Sequence, residues 1–207
     1  MKKQTDRISF LEKEIVKGDR VLDIGCWDGA RVARLTNFCD AYGLDIDENK
    51  LNLAQEDIKK RLHVADITKK VPFKNKFDWA FCTEVIEHVK NDKKLISNCN
   101  KVLKKGGILI LTTPKKINGL DFWDPAWVRW KLGFGERHYH YSKQELFSKL
   151  EKGGFYIERF YVGGSLRWLI FRWINVFLKY FIKTGKQINN LLEDGYFDWI
   201  IMAKKIK

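Results

Sequence analysis

Three groups of residues in this chain carry side chains suited to binding or transforming a ligand. The first is Val21-Leu22-Asp23-Ile24-Gly25-Cys26-Trp27-Asp28-Gly29. A short apolar run ends in an acid, turns on a glycine and enters a helix after a second glycine. Such a turn offers backbone N–H groups and a helix N-terminus, and it lets a ligand approach the bare backbone at Gly25. About 20 residues on, Gly43-Leu44-Asp45-Ile46-Asp47 ends a second strand in an acid placed to grip a ribose diol. The chemistry implied is nucleoside binding.

The second group is Glu136-Arg137-His138-Tyr139-His140-Tyr141. Histidines two apart on an extended segment face the same way, so His138 and His140 are the candidate catalytic pair. Either can serve as proton acceptor or as substrate contact; the alternative is histidines that satisfy backbone groups at a helix entry. The third group is Glu84, Glu87 and His88, spaced i, i+3, i+4, which on a helix would share one face and offer three metal ligands. The expectation is an activity without a metal, with Glu84, Glu87 and His88 as the alternative ligand set.

Strands alternating with helices would position these groups. Residues 20–24, 41–45, 61–65, 77–82 and 107–113 are short, β-branched or aromatic, and followed by turn chemistry. Residues 91–104 carry Leu95, Ile96, Cys99, Val102 and Leu103 at helical spacing, ended by Gly106-Gly107. Ser142-Lys143-Gln144-Glu145 is a capping box that starts a helix running to Gly153. Residues 155–162 and 196–203 read as two final strands.

The ordered set of motifs resembles the class I S-adenosylmethionine (SAM)-dependent methyltransferases, in particular the branch that includes the ubiquinone/menaquinone-biosynthesis enzymes. It comprises residues 21–29, 42–47, Val64-Ala65-Asp66-Ile67, and 77–89 followed by Leu103-Lys104-Lys105-Gly106-Gly107-Ile108-Leu109-Ile110. The resemblance covers roughly residues 15–160. It implies an α/β, Rossmann-like fold with one seven-stranded, mostly parallel sheet, the last strand antiparallel, helices on both faces, and the ligand outside the carboxyl ends of the strands. It implies that Asp23, Gly25, Cys26 and Gly29 shape the methionine end of SAM, and that Asp45 accepts both ribose hydroxyls. Ile46 would pack on the adenine, Asp66 and Ile67 would meet its edge, and Thr83 would lie near the methyl donor. Trp27 stands where the family usually has glycine, so an indole must be accommodated beside the cofactor. Glu84, Glu87 and His88 also resemble the Glu-x-x-Glu-His set of metal-dependent O-methyltransferases, where a downstream histidine, here His138 or His140, joins.

Two segments read as acceptor-side equipment. Residues 114–141 form a long connection with Phe122, Trp123, Trp127, Trp130 and Phe134, a length and composition typical of a cover. Residues 165–183, between the last two strands, form an aromatic helical insertion. Leu166, Leu169, Ile170, Trp173, Ile174, Phe177, Leu178 and Phe181 make a stripe, widened by Trp168, Phe171, Val176 and Tyr180 and punctuated by Arg167, Arg172, Lys179 and Lys183. It can roof the pocket, lie on a membrane surface or make a dimer contact.

A chain of 207 residues suits a single such domain over 1–207, with no room for two ordinary ones. Its four cysteines, Cys26, Cys39, Cys82 and Cys99, show no paired spacing, which favours free thiols in a reducing compartment. Residues 1–20 lack a leader-type apolar run, and no stretch approaches the ~20 apolar residues of a span. The expected location is the cytoplasm, with peripheral contact at the inner face of the membrane through residues 165–183. The formal charge of +13 favours encounter with anionic partners without choosing among them. The preferred reading is methyl transfer from SAM to a small-molecule acceptor, apolar or lipid-linked, with S-adenosylhomocysteine as product. The alternatives are a metal-dependent RNA 2′-O-methyltransferase and a SAM-binding domain without turnover.

Overall fold

A computed structural model describes residues 9–69, 71–119, 121–180, 182 and 197–206, with the side chains of Ser9, Trp123, Trp168, Lys179 and Tyr180 also outside the description. After a short helix α1 (Ser9–Glu12) comes β1 (Arg20–Ile24), then α2 (Ala30–Leu35), β2 (Asp40–Asp45), α3 (Glu48–Leu51) and β3 (Leu62–Val64). The second half runs through β4 (Phe77–Thr83), α4 (Asp92–Val102), β5 (Leu103–Pro114), α5 (Pro125–Lys131), α6 (Lys143–Lys152), β6 (Phe155–Gly163), α7 (Leu166–Tyr180) and β7 (Asp198–Lys205). The strands form one seven-stranded sheet in the order β3-β2-β1-β4-β5-β7-β6. Strands β1 to β5 pair parallel, whereas β7 runs antiparallel to both β5 and β6. This is the expected architecture, including the helix inserted between the last two strands.

Successive side chains of a strand point to opposite faces, so a central sheet needs two cores. On one face Leu22, Ile24, Leu44, Ala80, Leu109 and Ile201 pack with Leu95, Ile96 and Cys99 of α4 and Leu146 and Leu150 of α6. On the other, Val21, Ala41, Phe81, Ile110 and Ile200 pack with Leu11, Val32, Leu35 and Leu51 of α1, α2 and α3. Each fully buried Leu or Ile contributes about 1.5–3 kcal/mol, enough for these alternating runs to fix the strand register.

The caps follow the sequence pattern. Ser142 Oγ accepts the Glu145 N–H at 3.2 Å, opening α6. Asn91 Oδ1 accepts the Lys94 N–H at 3.1 Å, opening α4. Asp47 Oδ1 accepts the Asn49 N–H at 3.0 Å, opening α3.

Three boundaries differ from expectation. Helix α4 stops at Val102, because Leu103 already pairs with Phe77, and Gly106, in the left-handed region at φ +78°, turns an excursion that rejoins β4 at Ile108. The last strand starts at Asp198; Tyr196, its expected first residue, and the Phe181 and Lys183 end of the helical insertion lie outside the described residues. The larger correction concerns Glu84–His88. No α-helix forms over these five residues: Glu84 is left-handed at φ +56°, and only a 3₁₀ turn, Ile86–His88, lies between β4 and α4.

Candidate active site

Glycine is required at two points of the first turn. Gly25 (φ +76°) and Gly29 (φ +72°) are left-handed, and a Cβ on Gly25 would sit 2.4 Å from Val85 Cγ2. Gly43 is excluded from substitution by Cys26, whose Sγ would lie 2.6 Å from a Cβ there. The turn is thus clamped between Val85 and β2. Its amides behave differently from expectation: the Gly25 and Cys26 N–H groups both donate to the Leu44 carbonyl, at 2.7 and 3.1 Å. They stitch β1 to β2 and are not aimed at a ligand. The bare Gly25 backbone is demanded by Val85, and buried Cys26 packs beneath the turn against Gly43.

Asp45, at the end of β2, organises the mouth. Its Oδ2 accepts the Trp27 N–H at 2.8 Å and its Oδ1 accepts the Asp47 N–H at 3.0 Å. A carboxylate has about four acceptor positions, so capacity for hydroxyl donors remains. Next to it Ile46 is 68% exposed, an apolar side chain held in the open at a strand end. Trp27, left-handed at φ +53°, projects outward with the Lys50 ammonium of α3 3.7 Å above its ring. The indole therefore stands on the Asp45 side of the turn.

At the other end of the turn lies a residue that motif reading missed. Arg31, on α2, donates to Asp23 Oδ1 at 2.6 Å and to Thr83 Oγ1 at 3.2 Å, linking the ends of β1 and β4, and its Nε is 3.5 Å from Glu12 Oε1. Asp23 is buried, so an intimate cation is what permits its charge there. A basic residue two after the second turn glycine was the available signal. Asp66 is occupied in closing its own turn, accepting the Thr68 N–H and hydroxyl on Oδ1 at 2.8 and 2.7 Å. Burial opposes its charge, but those bonds and nearby Lys69 hold the carboxyl below its usual range. Ile67 is buried, and its carbonyl accepts from Asn98 Nδ2 at 2.6 Å, anchoring that turn on α4.

The third group does not converge as a helix face would. Glu84 accepts from Thr112 Oγ1 at 2.8 Å, while Glu87 is wholly buried, with Thr113 Oγ1 donating to Oε2 at 3.3 Å. Burial, and then the Glu84 charge, push the Glu87 carboxyl well above its ordinary value. His88 is exposed, with Nδ1 2.7 Å from the Arg137 carbonyl and Nε2 3.8 Å from Glu87 Oε1. Among the described residues Glu84 joins no metal-type cluster, so these three do not fit a common ion.

The histidines are drawn together by backbone pairing. Tyr139 N–H donates to the Glu87 carbonyl at 3.1 Å and Tyr141 N–H to the Pro114 carbonyl at 3.2 Å, so 139–141 lies along the end of β5. That extended path turns His138 and His140, both buried, to the same side. There they meet Asp124, the N-cap of α5, whose Oδ2 is 3.0 Å from Nε2 of each. Asp121 Oδ1 is 2.8 Å from His140 Nδ1, and Arg172 of α7 reaches Asp124 Oδ1 at 2.7 Å. Burial opposes the Asp124 charge, but the close histidines and Arg172 hold the carboxyl far below its usual range. Asp121 and Asp124 were not singled out from the sequence, and Arg172 was read only as a cation of the helical insertion; Asp124 before Pro125 has the pattern of a helix cap.

A doubly wound sheet with a glycine turn after β1 and an acid closing β2 defines a nucleoside-binding α/β protein of Rossmann-like type. The comparisons narrow this. A family model described as a methyltransferase domain matches residues 22–111. An uncharacterized methyltransferase from Synechocystis sp. is 30% identical over 160 residues, covering 74% of this chain and 75% of that protein. A ubiquinone biosynthesis O-methyltransferase from Coxiella burnetii is 30% identical over 114 residues, covering 52% of this chain. That match spans about half the relative's length, 49%. A SAM-dependent methyltransferase structure from Methanosarcina mazei superposes with a TM-score of 0.69 at 18% identity, covering 98% of this chain and 99% of that one. The chain belongs to the class I SAM-dependent methyltransferases, and SAM is the cofactor of that family.

Proposed function

We propose that this protein transfers a methyl group from SAM to a small-molecule acceptor. The observation that carries the reading is the mouth of the β1–β2 turn, where Asp45 keeps acceptor capacity beside exposed Ile46 and the Asp23–Arg31–Thr83 network closes the far end. The donor brings an already activated sulfonium methyl, so the chain's own work is orientation and exclusion of water. Asp45 holds the ribose diol and Ile46 covers the adenine, whose edge meets the 66–67 turn. Gly25, Cys26 and Gly29 shape the methionine end beside Asp23, with Trp27 flanking the cofactor and Thr83 near the reacting methyl.

The acceptor side lies beyond the carboxyl ends of β4 and β5, flanked by 114–141. His138 and His140 serve it as proton acceptor or contact, which a hydroxyl nucleophile would require. Helix α7 favours an apolar or lipid-linked acceptor met at a membrane surface: Leu166, Ile170, Trp173 and Phe177 are exposed along one stripe. Among the described residues no helix is long and apolar enough to cross a membrane, so contact would be peripheral. Glu84 stands apart from the other two, but Glu87 and His88 group with His138, so the metal-dependent RNA alternative keeps two of its three proposed ligands and a downstream histidine.

The test is calorimetric titration of the purified protein with SAM and S-adenosylhomocysteine, with mass spectrometry of any co-purified small molecule. Binding at a single site, weakened roughly tenfold or more in Asp45→Ala, is expected; absence of binding to either compound would end the proposal.

A further inference from the structure

We infer that Asp124, His138 and His140 form a site for a first-row divalent transition-metal ion, with Asp121 as the outer partner that orients His140. Two histidines and one carboxylate are a set that such ions accept while leaving positions open for another ligand. Both Nε2 atoms lie 3.0 Å from the same Asp124 Oδ2. Neighbouring corners of an octahedron with metal bonds of about 2.1 Å are about 3.0 Å apart. The same 3.0 Å is an ordinary hydrogen-bond length, so the spacing admits an ion without requiring one, and it is the unsatisfied nitrogens that call for an ion.

Hydrogen bonding among these atoms leaves a deficit that an ion would fill. His140 has Nδ1 2.8 Å from Asp121 Oδ1 and Nε2 3.0 Å from Asp124 Oδ2, so both nitrogens face oxygens that only accept. A neutral imidazole can donate to one of them, leaving a lone pair facing a lone pair at the other. The Asp121 contact is the carboxylate–histidine pairing that fixes a metal-binding tautomer, with Nε2 free to ligate. His138 is 5% exposed, yet neither of its ring nitrogens has a hydrogen-bond partner among the described residues. Its Nε2 is near Asp124 in distance but not along an N–H direction. Buried imidazole nitrogens are ordinarily satisfied.

Asp124 is prepared for the role on its other oxygen. Oδ1 takes Arg172 at 2.7 Å and the Ala126 N–H at 3.0 Å, which leaves Oδ2 to the histidines. A pocket of about 20 Å³ lined by Asp121, Asp124, His140, Arg172 and Lys115, but not by His138, lies beside the three ligand atoms and not between them. The rival grouping of Glu87, His88 and His138 is looser, with 3.8 Å between Glu87 Oε1 and His88 Nε2. The site adjoins the proposed acceptor side but does not depend on methyl transfer. With an ion bound, His138 and His140 are ligands and not free bases.

The full-length protein, stripped with a chelator and dialysed, is titrated with Co²⁺ and followed by its visible absorption, with Zn²⁺ stoichiometry measured by mass spectrometry. One equivalent should bind, at least tenfold more weakly in His138→Ala and in His140→Ala. S-adenosylhomocysteine affinity, measured on the same samples, should stay within twofold and report that the variants fold. Absence of stoichiometric binding, or binding unchanged in both variants, would overturn the site and leave an imidazolium bridging two carboxylates. Binding lost in Glu87→Gln and His88→Ala but retained in His140→Ala would also overturn it. Loss of S-adenosylhomocysteine binding in the wild type would instead strike the methyl-transfer reading alone.

Discussion

Asp45 Oδ2 accepts the backbone N–H of Trp27 at 2.8 Å, so the acid that ends β2 holds the left-handed residue of the turn that follows β1. One side chain therefore shapes the loop and faces the ligand. Asp45→Ala removes the ribose acceptor and the loop anchor together, worth about 1.5–3 kcal/mol, and SAM affinity should fall roughly tenfold or more. Asp45→Asn keeps a carbonyl oxygen for one partner and should fall between. Calorimetry giving both variants wild-type affinity would remove Asp45 from the site.

Arg31 is the corresponding support beneath the other end. Its loss removes the 2.6 Å ion pair from a buried Asp23 carboxylate, and breaking a buried pair in this way costs about 3 kcal/mol. Arg31→Ala should lower the stability of ligand-free protein by that order in denaturant unfolding, with Arg31→Lys recovering part. A loss within about 0.5 kcal/mol, the range of an ordinary surface substitution, would show that Asp23 does not need it.

Trp27 combines a left-handed backbone with an exposed indole under Lys50. The strained conformation costs on the order of 1 kcal/mol for a non-glycine residue. Trp27→Gly should therefore leave the melting temperature unchanged or slightly raised while weakening SAM binding. Tryptophan fluorescence should respond to ligand in the wild type and lose most of that response in Trp27→Phe. A full response in the phenylalanine variant would place the indole away from the cofactor.

The sheet and caps were legible because each rests on local chemistry. Alternating apolar residues set both cores, and Ser142 with Glu145 announces its own helix. The nucleoside side was legible for the same reason, since Asp23, Gly25, Gly29 and Asp45 sit at strand ends whose order the motifs preserve. The segment after β4 was not. Its i, i+3, i+4 spacing suits a helix, but left-handed Glu84, tied to Thr112 of β5, breaks the helix before it starts. The His138 cluster was half visible: two-residue spacing put the histidines on one side, whereas Asp121, Asp124 and Arg172 reach them from α5, its approach and α7.

Buried thiols give a pH-dependent signature. Burial, and then the charges of Asp23 and Asp45, push the Cys26 thiol far above its ordinary range, and burial with Asp19 pushes Cys39 up to about 11. A raised acid keeps its proton in the folded state while the unfolded thiol ionises. Stability should therefore be lost as pH rises from about 9 toward 11, and Cys39→Ser should lose less over that window. At pH 8 native alkylation of both cysteines should be far slower than after unfolding. Rapid modification of native Cys26, read by peptide mass spectrometry, would contradict its place beneath the turn.

Helix α7 is held to the body by Leu169, which is buried, and by Arg172 on Asp124, leaving Leu166, Ile170, Trp173 and Phe177 outward at spacings of 4, 3 and 4 residues. Arg172 is thereby unavailable to a lipid surface, which leaves exposed Arg167 as the cation whose side chain is described on that helix; the Lys179 side chain and Lys183 lie outside the description. Each basic residue near an anionic bilayer adds on the order of 1 kcal/mol, so the apolar stripe must supply most of any affinity, with the net charge of +13 aiding encounter. Co-sedimentation with vesicles rich in anionic lipid should be measurable and only moderately weakened by salt. Ile170→Ser with Phe177→Ser should abolish it without lowering the melting temperature, because both side chains are already about half exposed, each at 52%. A double variant that melts early would mean the stripe is covered within the protein. Wild type that ignores vesicles at every salt concentration would retire the membrane surface and leave α7 as a cover over the acceptor side.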